Sequence, residues 1–155
     1  MASLHAFEVA VDLAGRQRDG ARQQLHGQQG LLQAAQAQFE QLQGYAQETE
    51  RRWGLHENAR VQPEVMRHHY AFMARLEHAM GLQAKVVQNQ ELRVMQAQAA
   101  LRAAELRLAS LRKVLEQRRK DGERAQQRRE QKETDERASA LFARRDNDPL
   151  HLMED

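Results

Sequence analysis

From Leu4 to Trp53 the chain repeats apolar residues at alternating spacings of three and four. The line runs Leu4, Phe7, Val11, Ala14, Arg18, Ala21, Leu25, Gln28, Leu32, Ala35, Phe39, Leu42, Ala46, Thr49 and Trp53, and only Arg18, Gln28 and Thr49 break its apolar character. A 3-4 alternation held for seven heptads is a coiled-coil seam. A chain built on it forms a rod with little interior in which to bury a catalytic pocket. Function is therefore expected on surfaces and ends.

Composition agrees. Of 155 residues, 30% are charged and only 5% aromatic, too few large side chains for a thick core. Alanine, glutamine, leucine, arginine and glutamate dominate, and all favour helix. There is no cysteine, which excludes disulfides and thiolate metal sites and suits a reducing compartment. No apolar run approaches the roughly 18–20 residues that cross a bilayer. The first residues, Met1-Ala-Ser-Leu-His-Ala-Phe-Glu8, lack the basic and apolar regions of a secretion signal.

The first helix is expected over 3–53, with Ser3 as N-cap and Gly54 as its stop. Five glycines, Gly15, Gly20, Gly27, Gly30 and Gly44, lie inside it, and each costs about 1 kcal/mol relative to alanine. That helix should be marginal alone and should fray in its N-terminal half. A loop is expected over 54–62, and Pro63 suits the first position of a second helix over 63–142. Counting from Met66, the second seam has Met66, Met73, Met80, Val87, Val94, Leu101, Leu108 and Leu115 at a. Its d positions are His69, Leu76, Gln83, Gln90, Ala97, Ala104 and Leu111. Two long amphipathic helices on a short loop imply an all-α fold, an antiparallel two-helix coiled-coil hairpin with a longer second helix. Residues 1–145 make a single domain on this reading, and 146–155 a disordered tail. Reflecting Leu4 through the loop centre lands near residue 113, close to where the second apolar stripe stops at Leu115.

Beyond Leu115 the character changes. Residues 116–137 hold fifteen charged side chains in twenty-two. The pairs Glu116/Lys120, Arg119/Glu123, Arg129/Glu133, Lys132/Glu136 and Glu133/Arg137 are spaced for i,i+4 ion pairs on an exposed helix. This segment is expected to project past its partner as an unpaired helix. Between Arg102 and Arg129 ten bases outnumber four acids. Nucleic acid is nonetheless a poor partner: acids interrupt the block, stacking aromatics are absent, and the basic region follows the heptads where a basic-zipper protein would place it first. The block has no apolar face for a membrane surface.

In an antiparallel pair the g positions share one flank. Here that flank is apolar: Val65, Phe72, Ala79, Val86, Ala100 and Val114 on the second helix, Leu31, Gln38 and Tyr45 on the first. Tyr45 and Phe72 lie equally far from the loop centre and should be neighbours. Such a stripe marks a docking surface for a partner, or a face buried by a widened seam or a second copy. The seven histidines, His5, His26, His56, His68, His69, His78 and His151, form no metal set and are expected to be solvated. Phosphate-loop glycines and a catalytic triad are missing, so no cofactor, metal site or enzymatic activity is expected.

The ordered motifs resemble the flagellar FliJ family over about residues 4–143. The best match is Arg128-Arg-Glu-Gln-Lys-Glu-Thr-Asp-Glu-Arg-Ala138, similar to the family's E-Q-K-x-x-D-E-x-A ending. Leu42-x-x-Tyr45-x-x-Glu48 and Phe72-x-x-x-Leu76-x-x-Ala79 are the others, while Thr49 departs from an aromatic often found in the family. The resemblance implies a non-enzymatic stalk, similar to the central stalk of rotary ATPases, in the bacterial type III export apparatus. It implies cytoplasmic location, peripheral to the inner membrane at the flagellar base. The implied partners are the hexameric export ATPase, the cytoplasmic domain of the membrane export gate, and the chaperones of late export substrates. It carries gate or chaperone binding onto Gln38, Leu42, Tyr45, Phe72, Leu76 and Ala79. It carries contact with the ATPase ring onto Arg128, Arg129, Gln131, Lys132, Asp135 and Glu136. The alternative is a structural or homodimeric coiled-coil scaffold with no ATPase partner.

Overall fold

The computed structural model describes residues 3–56 and 61–147. Two helices account for nearly all of them, α1 over Leu4–His56 and α2 over Pro63–Asp146. The start signals act as expected. The Ser3 hydroxyl accepts a hydrogen bond from the Ala6 N–H at 3.2 Å, satisfying one of the amides that a helix leaves orphaned. Pro63 opens α2, where a missing N–H costs nothing. The stop signals do not. Gly54 is helical, has no positive φ, and α1 runs on to His56. A glycine ends a helix by turning left-handed, and here the chain continues for another half-turn first. At the other end α2 passes residue 142 and closes at Asp146, with an Asn147 N–H to Ala143 carbonyl bond of 3.2 Å. The expected loop keeps only Val61 and Gln62 outside a helix among its described residues; 57–60 lie outside the description, as does 148–155 of the expected tail.

The chain divides into two compact units, Gly15–Arg107 and Met1–Ala14 with Leu108–Asp155. In the Gly15–Arg107 unit the helices are antiparallel: Gln28 meets Gln90, Ala35 meets Gln83, Tyr45 meets Phe72, and Trp53 meets His69. Its core is Ala46, Met73 and Leu76, with Leu42, Phe72 and Met80 packed around it. The heptad reading holds here residue by residue. Every α1 seam position from Arg18 to Trp53 is buried or half-buried, and so is every α2 seam position from His69 to Ala104. Met66, at the start of α2, is 39% exposed.

The polar seam positions find partners across the pair. Gln90 is 8% exposed, and its Nε2 donates to the Gln28 carbonyl at 3.0 Å and to Gln28 Oε1 at 2.6 Å. One heptad earlier on α2, Gln83 Nε2 donates to the Ala35 carbonyl at 3.0 Å and to Gln38 Oε1 at 3.2 Å. A buried amide without a partner costs about 1–3 kcal/mol, so these layers penalise any register that separates them. Replacing Gln28 and Gln90 together by leucine should therefore raise the melting temperature while loosening register. Disulfide trapping between cysteines introduced along α1 and α2 would then capture pairs other than the native ones. A single trapped register in the double leucine variant would show that apolar packing alone sets the alignment.

The other unit is also antiparallel. Ala14 and Leu108 are each 2% exposed, Leu115 is 7%, and Phe7, Val11 and Leu111 are half-buried around them. Arg119 Nη2 reaches Glu8 Oε1 at 3.1 Å, and the Arg118 guanidinium lies 5.1 Å from the Phe7 ring centre. α1 engages α2 up to Arg118 and Arg119, because long arginine side chains extend contact past the last apolar seam residue.

Candidate partner-binding surfaces

Past the Glu8–Arg119 pair, Ala125 is the last side chain of α2 that is even half-buried; residues 126–147 are all exposed. The expected unpaired helix is therefore present, exposed throughout from residue 126, about three turns later than Leu115. Its six candidate residues share a face. At about 100° per residue, Arg128, Gln131, Lys132 and Asp135 fall on one line with Arg129 and Glu136 beside it. Gln131 Nε2 donates to Asp135 Oδ1 at 3.2 Å. Among the described residues Arg128, Arg129, Lys132 and Glu136 take part in no ion pair.

The charge ladder differs from the spacing argument. Of the five anticipated i,i+4 ion pairs only Glu116–Lys120 closes, at 3.3 Å. Arg119 turns to Glu8 on the other helix rather than to Glu123. Along the exposed helix the i,i+4 role passes to glutamines, Gln117 to Asp121, Gln126 to Glu130 and Gln131 to Asp135. Exposed ion pairs in water gain little over solvation, so the exposed arginines from Arg124 to Arg137 form none among the described residues. The same helix also presents Leu141 and Phe142, 65% and 69% exposed, which the charge pattern hid from the sequence reading.

The second candidate surface lies in the Gly15–Arg107 unit. Gln38, Leu42 and Tyr45 follow one line of α1, and Phe72, Leu76 and Ala79 one line of α2. Tyr45 and Phe72 meet edge-to-face with centroids 5.9 Å apart and planes at 75°, the neighbourhood expected from the loop symmetry. Tyr45 is 56% exposed, and Val65 and Val86 extend the stripe at 48% and 49%. The six residues are not equivalent. Leu76 is 8% exposed in the core and Leu42 packs against it, so both serve the seam first. Gln38 is engaged by Gln83, and Phe72 and Ala79 are half-buried. Tyr45 is the member with most surface to offer. Thr49 donates its hydroxyl to the Tyr45 carbonyl at 2.8 Å.

Among the histidines whose side chains are described, His5, His26, His68 and His78 are exposed and one departs from the solvated reading; His56 and His151 lie outside that description. His69 is half-buried at a d position and stacks on Trp53, centroids 4.0 Å apart and planes 3° apart, with Tyr70 against both rings. A flat imidazole fills a seam site beside an indole as an apolar ring would. Among the described residues no cluster of His, Asp or Glu could hold a metal ion, and no helix is long and apolar enough to cross a membrane.

An antiparallel pair of long helices whose second member outruns the first defines a coiled-coil hairpin. Residues 3–147 match the family model of the flagellar FliJ protein, so the chain belongs to the FliJ family of type III export-related proteins. No curated protein matches it. The fold is similar to that of a solved YscO homolog, CT670 from Chlamydia trachomatis, with a TM-score of 0.71 at 20% identity, covering 98% of this chain and 94% of that one.

Proposed function

We propose that the chain is a non-enzymatic stalk of the flagellar type III export apparatus, acting on the hexameric export ATPase. The observation that carries this reading is the exposed run of α2 beyond Ala125, whose Arg128–Glu136 face is unpaired by α1. A charged helix end without a partner fits a ring lined by complementary charge. Contacts of that kind orient and exchange quickly rather than lock. The face of Tyr45 and Phe72 is the docking surface for the cytoplasmic part of the export gate or for a late-substrate chaperone. Aromatic side chains that remain partly exposed commonly supply interface anchors. In this role the protein is cytoplasmic and held at the inner membrane through the gate.

The test is reconstitution. The full chain added to the cognate export ATPase should promote ring assembly and raise its hydrolysis rate, and should show no hydrolysis by itself. Reversing Arg128, Arg129 and Lys132 to glutamate should remove the stimulation while binding to the export gate persists. An ATPase indifferent to the wild-type chain would refute the stalk role.

A further inference from the structure

We propose that the outer face of α2 between Glu91 and Arg107 docks a second copy of this chain, parallel and in register. Its apolar line is separate from the seam and from the Tyr45–Phe72 flank, which it borders only through Arg93 and Arg107, and the inference does not rest on the stalk reading. Between residues 91 and 107 α2 is apolar on two sides. One side, with Val94, Ala97, Leu101 and Ala104, packs on α1. The opposite side carries Leu92, Met95, Ala99 and Leu106, and the three large residues are 56%, 61% and 69% exposed. Their spacings of three, four and seven are those of a second seam. A helix apolar on opposite faces is built to be covered on both.

Charge names the occupant. The triplet Glu-Leu-Arg occurs twice, at 91–93 and 105–107, two heptads apart. Each leucine of the outer line thus has a glutamate on one side and an arginine on the other. Glu91, Arg93, Glu105 and Arg107 are all exposed, and none is in an ion pair among the described residues. Two copies related by an axis along the helix bring opposite flanks together, so glutamates of one meet arginines of the other while Leu92 faces Leu92 and Leu106 faces Leu106. Two antiparallel copies bring like flanks together, glutamate on glutamate and arginine on arginine, which charge repulsion disfavours. Ala99 at the centre allows close approach. A contact of this length sits at the low end of interface sizes, so the dimer is weak and depends on concentration.

Sedimentation of the full chain across the micromolar to submillimolar range should show a reversible monomer–dimer equilibrium. Leu92→Gln with Leu106→Gln should remain monomeric with unchanged helical circular dichroism, since both side chains are exposed. Glu91→Arg with Glu105→Arg, and Arg93→Glu with Arg107→Glu, should each be monomeric alone and form a heterodimer when mixed. Met95→Cys should oxidise to a disulfide-linked pair, because residue 95 faces itself only in the parallel register. A wild-type chain that stays monomeric at the highest concentration overturns the proposal. So does a dimer insensitive to these charge reversals, or cross-linking that requires Met95→Cys mixed with Ala103→Cys, the antiparallel signature.

Discussion

A chain ending after Ala125 should fold and melt like the full-length protein yet fail to stimulate the export ATPase. Among the described residues the last that α1 engages lie before that point: Leu108 and Leu115 in the core, Arg118 on Phe7, Arg119 on Glu8. Of what is removed, the described residues 126–147 are all exposed, so their loss uncovers no seam residue and leaves no buried polar group unpaired. Ending instead after Leu115 would delete both arginine contacts as well, and a loss of activity there could be read as fraying of the pair. Thermal melting and ATPase stimulation measured on the Ala125 truncation separate the two effects. Full stimulation by the truncated chain would move the ATPase contact elsewhere.

Leu76→Ala should lower stability by about 2–3 kcal/mol, the lower part of the range for buried leucine truncations, because a two-helix core lets water into the space left behind. The side chain is 8% exposed in the cluster with Ala46, Met73 and Met80. Tyr45→Ser should cost only about 1 kcal/mol, mostly its edge-to-face contact with Phe72. If the Tyr45–Phe72 face docks the gate or a chaperone, Tyr45→Ser should weaken that binding more than Leu76→Ala does, measured at a temperature where both variants remain folded. The reverse order, with Leu76→Ala harming binding and Tyr45→Ser leaving it unchanged, would assign the whole stripe to packing. Denaturant midpoints and binding isotherms on the two variants decide the matter.

The two-helix pairing was legible because heptad position dictates burial. Phe7, Ala14 and Ala35 on α1, and Met73, Val94 and Leu108 on α2, are each assigned inward by spacing alone and each lie inward in the structure. The Ser3 cap and the Pro63 start were legible for the same local reason: both act within one turn of themselves. The helix ends were not, since Gly54 permits a stop without requiring one. The ion-pair ladder failed because spacing shows who can meet and not who prefers a competitor. Glu8 on the other helix claims Arg119, and water claims the arginines further along.

Periodicity, charge and a few local signals thus determined that this chain makes two helices, which faces they join, and that α2 outlasts α1. Only the tertiary structure decided how the polar seam positions are used, because Gln90 and Gln83 find their acceptors on residues 62 and 48 positions away. It likewise separated Leu76, which belongs to the core, from Tyr45, which does not, although one sequence motif set names both. Burial depends on what a partner helix covers, and a one-dimensional repeat fixes the side a residue faces but not how deeply the neighbour closes over it.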